Sequence, residues 1–532
     1  MIIEIDPFLI IETYPFLIIK IDLRFDYRIY LVFDYRNRWN KNDFLDGYYN
    51  IVYIMNDIPL ALTFDDVLLI PQYSDIKSRS QIDLKTRFSR NIPLNIPLVS
   101  SNMDTVTEHK MAIAMARLGG LGIIHRYCSI EEQVQMVKKV KRAECYTIGN
   151  PYTAGLNDLI SDIKHKINLY GVSSYPIIDD NGILQGILTT RDIKGSQLSD
   201  KVSSRMTPLQ NLIVSPEQDN ITIVDAKELM IKHKIQKLPI VNSVGQLTGL
   251  ICLKDIERIQ QRPLANLDAE GRLRCGAAIG VKEDALERAR QLVMAGVDVL
   301  VIDIAHGHSE ACINTLRQIK RELPGIDVVA GNIATAEGAI DLIKAGADGI
   351  KCGIGSGSIC TTRLTAGAGI PQLSALLEAR KVCDEYEVPL ISDGGNRHYG
   401  NIAKALGAGA SCVMLGRMIA GAEESPGPVL IRDGKRVKMI RGMAGVSANL
   451  SNAARQNLQE PDLLSFTPEG VEGYVAYSGP VQDTIKQICD AVRSGMSYTG
   501  AHNLSEFKQK ARFVRITHHG VTESGVHDIN LV

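Results

Sequence analysis

No Cys-x-x-Cys pair occurs among the ten cysteines of this 532-residue chain, so neither a zinc site nor a disulfide framework is indicated. The usage fits a reducing cytoplasm. Net charge is lacking too. Lys plus Arg number 59 against 60 Asp plus Glu, which leaves no field to recruit nucleic acid or an anionic membrane. Aromatic residues are few, and about thirteen of the 29, with the only Trp, crowd into the first 54 residues. Charges interrupt the apolar runs there every few residues, so none is long enough to span a bilayer. A basic start and a small-residue cleavage site are both missing. Residues 1–54 therefore read as a poorly specified extension ahead of a start at Met55, with a strand-rich accessory segment as the other option. No chemistry rests on them.

What the chain does have is repetition on two scales. YPIIDDNGILQGILTTRDI (175–193) is matched by LPIVNSVGQLTGLICLKDI (238–256), and Pro176, Gly182, Gly186 and Asp192 recur as Pro239, Gly245, Gly249 and Asp255 at a fixed offset of 63. Each copy predicts a strand, a glycine turn, a second strand and an Asp-capped helix start, with a helix such as VDAKELMIKHK ahead of it. The pair resembles cystathionine-β-synthase (CBS) domains, which bind adenine or guanine nucleotides. That resemblance implies a ribose contact from Thr189 in the first copy. Cys252 stands at the matching place in the second, so two equal sites are not expected, and a purely structural pair is the alternative.

From about 263 a second rhythm begins. CGAAIGV, VDVLVIDIAHG, IDVVAGNIAT, DGIKCGIGSGS, VPLISDGG and ASCVMLG are strand-like runs ending in Gly or Asp, separated by helical stretches such as ALERARQLVMAG and AEGAIDLIKAG. Alternating β and α units with β-branched strands predict a parallel sheet, and this many predict an α/β fold of the (β/α)8 TIM-barrel type. NIPLVSSNMDTV and GGLGIIHR supply its first units. The repeats, at 143–262, are thus an insertion that divides the barrel into 55–142 and 263–532.

Chemistry in such a barrel belongs at the C-terminal ends of the strands. There the sequence places Asn102, Asp303, His306, Asn332, Gly355 to Cys360, Asp393 to Gly395 and Gly416. DGG (393–395) and LGRM (415–418) suit phosphate binding by backbone N–H groups. GSGSICTTR (355–363) sets Cys360 among glycines and hydroxyls, either as a packing residue or as a nucleophile. His306-Gly-His308 with Cys312 lacks further matched metal ligands and reads as loop polarity.

TFDDVLLIP, NMDTVTE, GGLGIIHR, GRL, AHGHS, AGNIAT, GIGSGSICTTR, GAGIPQ, DGG, ESPG, RGMAG, PEGVEG and ESGVHD together resemble the inosine-5′-monophosphate (IMP) dehydrogenase and GMP reductase family, from about residue 60 onward. The resemblance implies that Cys360 attacks C2 of a purine nucleotide. In the dehydrogenase, hydride then passes to NAD and water releases xanthosine 5′-monophosphate (XMP). In the reductase, ammonia leaves GMP and NADPH returns hydride to give IMP. Catalytic roles are implied for Thr362, Arg455 and Glu469 beside Cys360. Substrate contacts are implied for Ser358, Asp393, Gly394, Gly395, Gly416, Arg417, Gly442, Met443 and again Glu469. The dinucleotide is expected at Asp303, Gly353, Ile354 and Gly355. Potassium is expected on the carbonyls of Gly355, Gly357 and Cys360, completed by a neighbouring subunit's C-terminal segment, here Glu523, Ser524 and Gly525. The resemblance also implies a homotetramer, which CBS pairs can join into an octamer, with no nucleic acid or membrane involved.

The two reactions differ in what resolves the covalent adduct. A dehydrogenase needs a mobile flap with an Arg-Tyr pair that activates water. Arg455 falls within one residue of that place, but Gln456 follows it. Asn102 is reductase-like, Arg417 replaces a serine, and Ile440 replaces an aromatic residue. Flap length between RGM and PEG, with AHGHS and PEGVEG, favours the dehydrogenase. The sequence alone is therefore read as IMP dehydrogenase, with a CBS-containing GMP reductase as the alternative and a catalytically silent nucleotide sensor as the minor one.

Overall fold

A computed structural model describes residues 16–22, 28–34 and 58–526, apart from 144–146, 150, 220 and 457–466. The chain separates into two compact units, Met1–Ala61 and Leu62–Val532. In the first, Phe16–Asp22 and Arg28–Asp34 pair as an antiparallel hairpin.

The second unit holds a closed barrel of eight parallel strands. They are Leu98–Ser100 (β1), Leu121–Ile124 (β2), Gly276–Ile279 (β3), Val299–Asp303 (β4), Asp327–Ile333 (β5), Gly349–Cys352 (β6), Leu390–Asp393 (β7) and Cys412–Leu415 (β8). The ring closes where β8 pairs with β1 and β2 with β3. A helix follows each strand, as in a (β/α)8 barrel. Ala336–Lys344 is representative, with Thr335 capping it by accepting from the Gly338 N–H. Its Ala339, Leu342 and Ile343 lie buried on one face. Three returns from helix to strand turn on Gly296, Gly346 and Gly409, at φ +88°, +105° and +115°, values that favour glycine.

Strand alternation sorts the core. Val99, Leu121, Ile123, Val299, Val301, Val329, Ile391 and Met414 form one buried cluster within the barrel, joined by Phe88, Ile92 and Leu94. Their neighbours in sequence, such as Leu98, Ile124, Leu300, Ile350 and Leu390, belong to the cluster shared with the helices. Each such aliphatic side chain contributes about 1.5–3 kcal/mol by leaving water. Above this interior the inward row continues as Asp303, Lys351 and Asp393, at the C-terminal ends of β4, β6 and β7.

The repeats lie between β2 and β3, after the helix Ile130–Ala143. Each builds a four-stranded sheet around an antiparallel pair, Ser174–Ile178 with Leu184–Thr189 and Lys237–Val241 with Leu247–Cys252. The two glycine turns exchange backbone hydrogen bonds, Leu184 N–H to Gly245 O at 3.0 Å and Leu247 N–H to Gly182 O at 3.1 Å. Ile187 and its repeat partner Leu250 share a buried cluster. One expectation is corrected here. Asp255 lies in the first turn of the helix Leu253–Gln260, but Asp192 closes only a turn onto the Thr189 N–H, at 2.7 Å. Gly195, at φ +79°, bends the first copy away before a helix forms.

Chain exit and re-entry are tied together by a buried ion pair. Lys141, near the end of the helix before the insertion, donates to Asp268 at 3.0 Å and to Asp298 at 2.6 Å. All three side chains are largely buried. Lys141→Ala leaves Asp298 facing the interior without its cation, an arrangement that costs about 3–5 kcal/mol. Urea unfolding of that variant is expected to shift by this amount, and an unchanged midpoint would contradict the assignment. Among the described residues, no helix is long and apolar enough to cross a membrane.

Candidate active site

Nine cysteines are described, and burial separates one from the rest. Cys128, Cys275 and Cys383 are buried, which pushes their thiols up to about 12. Cys312 is likewise raised to about 11. Its side chain packs in the core rather than toward the two nearby histidines, and His308 Nε2 instead lies 2.9 Å from Asp341. Such protonated thiols are poor nucleophiles. Only Cys360, in the loop after β6, is half-buried.

Three segments lie side by side at this loop. Thr361 N–H donates to Glu469 O at 3.0 Å, and Val471 N–H to Ile359 O at 3.0 Å. On its other edge the 469–471 segment bonds to 442–444, with Gly442 N–H to Val471 O at 2.9 Å and Glu469 N–H to Ala444 O at 3.1 Å. Glycine eases this close approach, since a Cβ on Gly442 would lie 3.0 Å from the Gly470 Cα. Cys360 Sγ lies 3.1 Å from Thr362 Oγ1, which in turn donates to Glu469 Oε2 at 2.7 Å. With Thr362 donating onward, the Cys360 S–H is the donor in the first contact. The three groups form an unbroken proton path from sulfur to carboxylate.

The remaining predicted residues distribute unevenly. Asp303 and Asp393 are brought together by Lys351, whose ammonium pairs with Asp303 and lies 2.7 Å from Asp393. Gly353 and Gly394 let the strand ends and the Cys360 loop approach one another. Cβ atoms there would lie 2.0 Å from Asp393 O and 2.3 Å from Ser356 Oγ. Gly395 N–H donates to Ser356 O at 2.9 Å. Ser358 is exposed on the loop, and the Gly357 carbonyl accepts from Cys360 N–H at 3.2 Å. Arg363 donates to the carbonyls of Ile354 and Ile370 and runs beside Gly355, where a Cβ would lie 2.6 Å from its Cγ. Met443 O accepts from the Tyr127 hydroxyl at 2.8 Å. Gly416 follows β8 and stands at the N-cap of a helical turn, Arg417–Ala420. Arg417 is exposed, its guanidinium 3.4 Å from Arg397 O.

Arg455 is placed differently from the Cys360 group. It ends the helix Val446–Arg455, and its Nε pairs with Glu132 at 3.4 Å. Gln456 accepts from Arg288 at 3.1 Å and donates to Asn452. Glu523 and Ser524 close the helix His518–Glu523 near the end of the described chain, with Gly525 following.

Several structural participants were not singled out as site residues by sequence reasoning. Lys351 is one. Gln372 is another, fully buried, donating to Cys352 O at 2.9 Å and accepting from Ser356 Oγ at 2.8 Å, so that it fixes the root of the Cys360 loop. Asn332, noted only as a strand-end residue, donates to Gly353 O at 2.7 Å and Asp393 at 3.0 Å. The available signal for Lys351 was a charged residue inside an otherwise apolar strand.

A family model described as the IMP dehydrogenase / GMP reductase domain matches residues 61–527. Inosine-5′-monophosphate dehydrogenase of Nitrosopumilus maritimus is 48% identical over 475 residues, covering 89% of this chain and 99% of that protein. GMP reductase of Leishmania major is 48% identical over 482 residues, covering 89% and 98%. Among solved structures, GMP reductase from Trypanosoma brucei in complex with guanosine 5′-monophosphate is similar with a TM-score of 0.85 at 48% identity, over 89% of this chain and 99% of that one. On this match, and with the closed barrel already described, the chain belongs to the IMP dehydrogenase / GMP reductase family of purine-nucleotide oxidoreductases.

Proposed function

We propose that the protein is a GMP reductase, converting GMP to IMP through a thioimidate on Cys360. The observation that carries this choice is the pairing around the sulfur. Thr362 and Glu469 line up with it, whereas Arg455 pairs with Glu132 and the residue after it is a glutamine held by Arg288. A proton path to a carboxylate suits departure of ammonia, and the segment between RGM and PEG lacks the Arg-Tyr pair that would activate water, Arg455 being followed by Gln456. In this reading the Cys360 proton passes through Thr362 toward Glu469 as sulfur adds to C2. The same relay returns a proton to the exocyclic nitrogen, which leaves as ammonia. NADPH, when bound, supplies the hydride that displaces sulfur from C2. Loop amides and Thr361 stabilise charge as the adduct forms.

Asp303 with Gly353 to Gly355 would hold the dinucleotide. Asp393, Gly394, Gly395, Gly416 and Ser358 would hold ribose and phosphate, with Arg417 adding charge there. Potassium fits the carbonyls of Gly355, Gly357 and Cys360 in kind, since these are hard oxygen donors on a loop. The Gly357 carbonyl retains a second lone pair beyond its bond to Cys360 N–H. There the ion would brace the loop, with Glu523, Ser524 and Gly525 contributed across a tetramer or octamer interface. The inserted repeats, taken as 143–262, would be a CBS pair that binds an adenine or guanine nucleotide, chiefly through the first copy. In the second, Lys237 Nζ lies 2.8 Å from Cys252 Sγ.

IMP dehydrogenase is the second reading, carried by the length of the segment between RGM and PEG and by equal identity to a named dehydrogenase. Part of that segment, 457–466, lies outside the described residues. Purified protein given GMP with NADPH is expected to consume NADPH and release ammonia, and IMP with NAD is expected to yield no NADH. NADH formation from the second pair would establish the dehydrogenase instead, and silence with both would favour the sensor. Arg455→Ala is expected to leave GMP turnover within about threefold of wild type, because surface ion pairs contribute little. A loss of two orders of magnitude would restore Arg455 to the chemistry.

A further inference from the structure

The aliphatic interior of the barrel ends, at its C-terminal face, in one polar layer drawn from five strands or the loops that follow them. Asn102 follows β1, Asp303 ends β4, Asn332 is on β5, Lys351 on β6 and Asp393 ends β7. Lys351 sits at the centre with its side chain 2% exposed, and the carboxylates on either side are 24% and 23% exposed. A buried ammonium thus lies beneath two carboxylates that open toward the mouth. Asn102 Nδ2 donates to Asp303 at 2.7 Å, and Asn332 Nδ2 to Asp393 at 3.0 Å. Asn332 Oδ1 is buried and finds no partner among the described residues, an acceptor suited to a ligand donor.

Nothing in the proposed chemistry uses Lys351, yet a buried lysine is costly without a role for its charge. Packing does not explain it either, since aliphatic side chains fill the inward positions of Val301 and of Ile391, the register partner of Lys351 on β7. Burial acts to lower the ammonium's affinity for its proton, but the two carboxylates outweigh it and hold Lys351 above the ordinary lysine value. Burial likewise opposes ionisation of Asp303. Lys351 and Asn102, with Arg126 further off, override it and hold that carboxyl below its ordinary value.

We infer that Lys351 is a positioning residue shared by two ligand sites, its ammonium fixing the carboxylates of Asp393 and Asp303 so that each offers an oxygen to ribose hydroxyls of a different ligand. The inference rests on the reading above, in which the purine nucleotide lies over Asp393 and the nicotinamide dinucleotide over Asp303. One cation with two carboxylates leaves one net negative charge, spread over oxygens that accept from hydroxyl donors. Removing the cation leaves two facing carboxylates that repel each other, so both ligand sites deteriorate together.

Direct binding of GMP and of NADPH, measured by calorimetry on the full-length protein, tests this. Lys351→Met keeps the length of the side chain and removes its charge. It is expected to weaken both ligands by roughly 30-fold or more. Adding Asp303→Asn removes the repulsion and is expected to recover GMP affinity by roughly fivefold, although that substitution alone chiefly weakens NADPH. Loss confined to one ligand, or no recovery of GMP binding, would overturn the inference. Should Lys351→Met not fold, Lys351→Met/Asp303→Asn is compared with Asp303→Asn. The former is expected to bind GMP at least about sixfold more weakly than the latter, and equal affinity would overturn the shared role. Wild-type protein that binds neither GMP nor IMP would instead remove the functional reading on which the inference stands.

Discussion

Cys360→Ala is expected to lower turnover of GMP with NADPH by about 10⁴-fold or more, the loss typical when a covalent nucleophile is deleted. GMP affinity should stay within about threefold, because sulfur contributes to the bond made in the reaction and little to ground-state recognition. Cys312→Ala is the matched control, its thiol buried on a helix between barrel and solvent. It is expected to cost stability and leave kcat near wild type. Stopped turnover in both variants would point to a folding effect, and full activity in Cys360→Ala would remove covalent catalysis altogether.

Glu469→Gln is expected to reduce kcat by about 10²–10³-fold, in the range that positioned proton transfer contributes. The glutamine keeps the shape of the side chain and its place beside the Cys360 loop, so the KM for GMP should move only a fewfold. Thr362→Val interrupts the same path at the hydroxyl that stands 3.1 Å from sulfur and 2.7 Å from the carboxylate. The two substitutions together should cost little more than either alone, since groups acting as one unit are not additive. A raised KM with kcat preserved would recast Glu469 as a purine-binding group.

Much of this architecture was legible because the signals are local and periodic. Strand runs such as VDVLVID and the glycines after helices mark βα units, and the structure places a barrel strand in each predicted run. The offset of 63 marked the repeat, and the reciprocal bonds of Gly182 and Gly245 give it a physical basis. Less legible were features created by closure of the ring. Lys351 sits in DGIKCG beside a cysteine that faces the helices, and only the inward register of β6 shows that its charge meets Asp303 and Asp393. Gln372 is similar, an ordinary helix-start residue until the fold sets it beneath Ser356. The first repeat misled because an Asp at a cap position predicts a helix, and Gly195 three residues later stops one. Glu469 lies 107 positions from Thr362, a distance that spacing rules cannot bridge. Its role followed from the family resemblance rather than from local chemistry.

In the proposed reaction Cys360 exchanges the amino group of GMP for a sulfur bond, and hydride rather than water then releases the purine. Wild-type protein mixed with GMP alone, quenched in acid and digested, tests it by mass spectrometry with ammonia measured in parallel. Thiol plus GMP gives thioimidate plus ammonia. The expected result is therefore a peptide containing Cys360 that carries the mass of GMP less ammonia, equal in amount to the ammonia released and lost when NADPH is added before the quench. An unmodified Cys360 in protein that still turns over GMP, or an adduct that forms only from IMP with NAD, would contradict the account.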